Sequence, residues 1–342
     1  MKSIYGIIGA LFLTLTATSV YAQTTQLLVN CLWPPQHFMC KALLPAWKAD
    51  VEKVTEGRVK ISFPASNLAP AAEQMASARS GIYDAAIQAN NFIANEVVGP
   101  RVAMLPLISD NSSYANSVAL WRTYEKFLSS ADEYDGVHLL SLVVLPGSDF
   151  FSLTNTPITS VETATNRKIW SPPGAIADIL KKQGAGIVAG PAIQMTELVQ
   201  RKVVDGFVGL DPTSAAAFGA LSHAKSMTIS SPSLFTASFS FVINEDKWNE
   251  ISSADRDGIM SVSGEAFAGA FGRIWDEAGV ATRQSYPEGF QVLEASDAFN
   301  TELAGLAQPY VTEWIDQADK KGIDGSAARE FYRATIESLV KK

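Results

Sequence analysis

A chain of 342 residues, 47% hydrophobic and 18% charged, has the make-up of a folded protein of about two domains. Its formal net charge of -8 excludes a nucleic-acid partner, whose phosphates require a basic face. His37, His138 and His223 stand at no ligand spacing to one another or to a cysteine pair, so neither a metal nor a cofactor is expected.

Lys2, the apolar run IYGIIGALFLTLTATSV and the small residues Val20 and Ala22 read as a secretory signal peptide over 1–22, with the mature chain starting near Gln23. The run falls short of the ~20 residues that cross a bilayer. No later segment is apolar enough to span, so the mature chain is expected to be exported and soluble. TQLLVNCLW then reads as a first strand. HFMCKALLPAWKADVEKVTEG carries Leu43, Leu44, Trp47, Val51 and Val54 at helical spacing, and RVKISFPA is a second strand. AAEQMASARSG is helical and YDAAIQA is a short strand. This β-α-β-α-β opening with short connections predicts a parallel sheet.

SYANSVALWRTYEKFLSSADEYDG is a further helix, and VHLLSLVVLPG is a continuously apolar strand, as a sheet covered on both faces requires. From near residue 150 the alternation begins again: RKIWSPPG, AIADILKKQGA, GIVAGP, AIQMTELVQRKV and VDGFVGLDP. SFSFVINEDKW is one more strand. A long helical run follows from Ser252, with Asp255 three residues on in a capping-box pattern. The C-terminal third is mostly helical, apart from YPEGFQVLEAS. With no flexible linker between the halves, a cleft between two lobes is expected, where strand ends and domain boundaries favour ligands. Cys31 and Cys40 have eight residues between them, Pro34-Pro35 included; a disulfide and two buried thiols both stay open. No G-x-S-x-G elbow, Walker loop, G-x-G-x-x-G after a strand or H-E-x-x-H helix occurs, so enzyme chemistry has no positive support.

The order of pieces resembles the DctP-like solute-binding proteins of tripartite ATP-independent periplasmic (TRAP) transporters. WPPQHFMCKALLPAWKADVEKVTEGRVKISFPA, AAEQMASARSGIYDAAI, RKIWSPPG, QMTELVQRKVVDGFVGLDP and SFSFVINEDKW carry the resemblance in that order. It implies an α/β, two-lobed periplasmic binding protein fold with a ligand cleft between the lobes and a long lobe-spanning helix. Lobe I would hold 23–148 plus about 236–265, and lobe II 149–235 plus about 266–305. Residues 306–342 would form C-terminal helices packing on the lobes. The run from Ser252 to about Arg283 would be the spanning helix, roughly 45 Å long. The resemblance also implies a monomer in the periplasm that catches one small solute and delivers it to membrane permease subunits.

Most of the family has an arginine where this chain has Trp170, and some members have a second where this chain has Asp149, Phe150 and Phe151. Guanidinium geometry suits a carboxylate; an indole offers one N–H and no charge. The resemblance places Trp33, Glu73, Asp149, Phe150, Trp170, Asp211 and Phe235 (or Phe239) at the cleft. Aromatic faces with carboxylates suit a cation, so the expected solute is a small amine or amino alcohol of the ethanolamine kind. The alternative is an organic acid held by other contacts, such as an aromatic acid stacked on Trp170 or a carboxylate displaced toward Arg101; a periplasmic enzyme is the third reading. Structural roles compete at each site: Asp211 before Pro212 as a turn residue, Glu73 as a helix cap, Trp170 as packing between lobes.

Overall fold

A computed structural model describes residues 24–341. The signal peptide and its cleavage site lie outside the described residues. Among the described residues eleven strands form two sheets. They are β1 (Thr25–Asn30), β2 (Val59–Ser62), β3 (Ala85–Ala89), β4 (Val137–Val144), β5 (Asp149–Ser152), β6 (Lys168–Ser171), β7 (Gly186–Ala189), β8 (Gly206–Leu210), β9 (Ser226–Ile229), β10 (Ser238–Asn244) and β11 (Gln291–Glu294). Lobe I holds the order β2-β1-β3-β10-β4, and lobe II the order β11-β9-β5-β8-β6-β7. β1 pairs in parallel with β2 and β3, as the opening alternation predicts. β10 inserts antiparallel between β3 and β4. β3 is the middle strand and β4 an edge; both are buried almost throughout, as a sheet covered on both faces requires.

The chain crosses between lobes at 145–148 and returns at 230–237. These crossings lie side by side, joined by a bridge from Ser148 to Phe235, and the return crossing is also bridged to Ser109 through Ser233. The helical run from Ser252 is two helices rather than one. Ser252 Oγ accepts the Asp255 backbone N–H at 3.2 Å, and the first helix, Ser253–Ser261, stops there. The second is Gly264–Arg283. Gly264 has φ +50 and rests on Trp121, where a Cβ would fall 2.9 Å from the indole ring. The break lets the backbone approach that ring and frees Ser263 Oγ to accept the Trp47 Nε1–H at 3.1 Å. At 20 residues the second helix runs about 30 Å, shorter than expected. It still touches both lobes: Phe267, Phe271 and Trp275 lie in the lobe I core, and Thr282 meets Thr213 of lobe II at 3.2 Å. Lobe I therefore extends about ten residues past the limit expected near 265.

A second spanning element was not anticipated. The helix Asp297–Lys320 buries Phe299, Leu303 and Ala307 in lobe II, then Val311, Trp314 and Ala318 in lobe I. Trp314 Nε1–H donates to the Val98 carbonyl at 2.9 Å. The final helix, Gly325–Val340, packs on lobe I, with the Tyr332 hydroxyl 3.2 Å from Ser109 Oγ. Cys31 and Cys40 are joined in a disulfide, with their Cα atoms 5.8 Å apart. It closes the loop that follows β1, a constraint on the unfolded chain.

Candidate ligand cleft between the lobes

A cavity of about 250 Å³ opens between the lobes. It lies beyond the C-terminal ends of β1, β3, β6 and β8 and the N-terminal end of β10, where the sheets deliver side chains to the gap. Trp33, Phe92, Trp170, Phe218 and Phe239 supply five aromatic rings. Asn67, Asn91 and Ser214 are its polar side chains, and among the described residues no acidic, basic or histidine side chain lines it.

Trp33 lies inside the disulfide loop and packs against Phe239, ring centroids 5.5 Å apart. His37, in the same loop, stacks on Trp33 with ring centroids 5.8 Å apart. Burial pushes the His37 imidazole down to about 4, so it is neutral at physiological pH, and its Nδ1 accepts the Met39 backbone N–H. Trp170 is the third residue of β6, registered between Val188 of β7 and Phe207 of β8. It is 1% exposed, belongs to the lobe II core with Phe151 and Phe207, and walls the cavity. Its indole Nε1–H is buried with no hydrogen-bond partner.

Of the seven residues expected at the cleft, only Trp33 and Trp170 line this cavity. Glu73 is exposed at the N-cap position of the helix Gln74–Arg79 and makes no capping bond with its side chain. Asp211 caps the helix Pro212–Ala217: its Oδ1 accepts the backbone N–H groups of Thr213 at 2.9 Å and Ser214 at 3.1 Å. The turn role of Asp211 is therefore what the geometry displays. Asp149 starts β5, where the register with β8 shifts between Asp149 and Phe150, a bulge that re-aims side chains. Both aspartates border a different cavity of about 450 Å³, shared with Trp275, Asp276, Arg283 and Tyr286. Desolvation raises Asp149 well above the usual carboxylate range, and the neighbouring Asp211 and Glu294 charges add to it. Desolvation likewise raises Asp211, to about 6, against the opposing pull of its capping bonds.

Phe150 turns into the lobe II core against Phe299, centroids 5.3 Å apart, while Phe151 stacks on Phe207 at 4.5 Å. Phe235 sits in the return crossing and borders a third cavity of about 290 Å³ with Arg101 and Tyr310. Phe239, four residues on, is the aromatic of that segment that reaches the cleft. Arg101 donates to the Ala94 carbonyl at 3.0 Å and to Gln317 Oε1 at 3.3 Å, outside the cleft. Asn67, Phe92, Pro191 and Phe218 are cleft residues that sequence reasoning missed. They come from loops and helix ends, where no period marks an inward face.

The family model described as bacterial extracellular solute-binding protein, family 7 (DctP), matches residues 29–317. The chain belongs to this family. This family 7 protein is 34% identical over 313 residues to the outer membrane transporter protein TsaT of Comamonas testosteroni, with 92% of each chain covered. It is similar in structure to a TRAP periplasmic solute-binding protein of Bordetella bronchiseptica with bound (R)- and (S)-mandelate. That likeness has a TM-score of 0.85 and 28% identity over 92% of this chain and 99% of the other. A TRAP solute-binding protein of Rhodoferax ferrireducens in complex with copurified benzoate shares the fold, with a TM-score of 0.80 and 21% identity over 93% and 99% of the two chains. The family 7 protein is thus a TRAP transporter solute-binding protein, of a kind that binds small ligands and works with membrane permease subunits. Family members act in the periplasm, and no helix among the described residues is long and apolar enough to cross a membrane.

Proposed function

We propose that this protein captures an aromatic organic acid in the periplasm, as a monomer whose mature chain starts near Gln23, and delivers it to its permease. One observation carries the reading: the cleft is walled by aromatic rings and holds no carboxylate. A buried ammonium group needs acceptors, preferably charged ones. The acids expected to supply them, Glu73, Asp149 and Asp211, lie outside the cleft, so the amine reading loses its anchors. Trp170 adds a donor-only N–H without a partner, which an acid oxygen satisfies and an ammonium cannot. The cavity volume is below the usual range for drug-sized ligands and suits a single-ring solute. The mandelate held by the 28%-identical Bordetella protein is of this chemical class.

Thermal-shift and calorimetric titrations of the mature protein test the reading. Benzoate or mandelate at 100-fold its Kd is expected to stabilise the fold by about 2.7 kcal/mol. Ethanolamine is expected to leave the melting temperature unchanged, and the bound acid is expected to be recovered chemically unaltered. Stabilisation by amines and not by acids would overturn the proposal.

A further inference from the structure

We infer that Asn67 is the neutral donor that selects the acid group of the ligand, an inference that rests on the acid reading above. Asn67 lies on the exposed rim shared by the cleft and a smaller pocket beneath the disulfide loop. Its amide is held by a buried network whose polarity is set by backbone groups. The Ala69 backbone N–H donates to Asn67 Oδ1 at 3.3 Å, so that end of the side chain is the oxygen. Asn30 Nδ2 donates to the same oxygen at 2.7 Å, and Gln74 Nε2 donates to it at 3.0 Å.

Each partner is oriented in the same way. Asn30 Oδ1 accepts the Leu68 backbone N–H at 3.1 Å, which makes its other atom the donor. Gln74 Nε2 also donates to the Ala69 carbonyl at 2.7 Å, so its Oε1 is free to accept from Asn30 Nδ2 at 2.7 Å and from the Tyr83 hydroxyl at 3.1 Å. Asn30, Gln74 and Tyr83 are at most 1% exposed. An amide flip would set Asn67 nitrogen against three donors at once. The oxygen therefore faces the network, and the two N–H groups are the end left for the cleft. With no arginine lining the cavity, this pair offers hydrogen bonds to an acid oxygen and none to an ammonium group.

The test is the acid-to-amine preference of the full mature chain, measured by calorimetry at pH 8 with benzoate and benzylamine. Asn67→Asp is isosteric, and one of its oxygens can keep the network. Its second oxygen replaces the donor pair with a charge that repels the ligand. Benzoate affinity is expected to fall by at least ~100-fold and benzylamine binding to appear. Asn67→Ala is expected to weaken benzoate by roughly tenfold without gaining the amine. Native protein that binds benzoate while Asn67→Asp binds it within about threefold overturns this inference and leaves the acid reading intact. Native protein that binds no aromatic acid overturns both.

Discussion

Trp170 performs two tasks through different atoms. Its ring closes the wall of the cleft and joins the lobe II core, while its N–H stays without a partner. Trp170→Phe keeps most of the ring and deletes the donor. If that N–H reaches the acid group, the variant should bind benzoate roughly tenfold more weakly, about 1.5 kcal/mol, as expected for a lost hydrogen bond to a charged acceptor. Titration calorimetry at neutral pH measures this, with an uncharged aromatic ligand as the control whose affinity should hold. Trp170 was legible in the sequence because a strand end beside Pro172-Pro173 places a side chain at the sheet edge. Asn67 was not, because its role depends on partners at positions 30 and 74, which only folding brings together.

A helix that reaches both lobes is anchored by close packing within lobe I. The helix Gly264–Arg283 packs on the helix Ser113–Thr123, and Asp276 ties the two by accepting the Ser113 backbone N–H at 2.7 Å. At Gly272 the approach is closest: a Cβ there would fall 2.2 Å from Tyr114 Cα, a backbone atom that no rotamer change moves. Gly272→Ala must force the helices apart. A loss of about 3 kcal/mol is expected, the upper end for overpacking, read as a lower urea midpoint at unchanged slope. The same change at exposed Gly305, inside the helix Asp297–Lys320, where a Cβ meets nothing within 4 Å, should stabilise by up to about 1 kcal/mol through helix propensity and serves as the control. Helical period in the sequence located both helices. It did not reveal the break at Gly264, because the cause is Trp121, more than 140 residues away.

For the molecule as a whole, stability should depend on pH through groups buried where the lobes meet. Asp149 and Asp211 titrate above the ordinary aspartate value of 3.8 in the folded chain. The folded state therefore holds protons that the unfolded state has released. Their stabilising contribution is complete below that value and is lost as pH rises, over a window ending at about 6 for Asp211. Each group contributes a slope of about 1.4 kcal/mol per pH unit within its window. His37 acts in the opposite sense: its value is depressed to about 4, so its contribution is present above 6.5 and is lost as pH falls. The three partly cancel, and a difference measurement separates them. Asp149→Asn should lose one proton's share of the pH slope relative to the native protein as pH rises above 3.8. It should therefore gain in relative stability as pH rises. Urea midpoints across that range check this, and parallel curves for the two proteins would contradict it.

The linear order of residues determined the α/β class, the alternation of strand and helix, the family resemblance and the positions of Trp33 and Trp170. Those features arise from local periods, turn residues and strand ends, which act over a few neighbouring residues. Which polar groups share the cleft was decided only in three dimensions. A bulge at the start of β5 sends Asp149 to a different cavity, and a helix cap uses Asp211. A buried amide network turns the Asn67 oxygen inward. Each outcome depends on partners distant in sequence, so the same residues read in order suggested a cation site, and folding built a charge-free aromatic one.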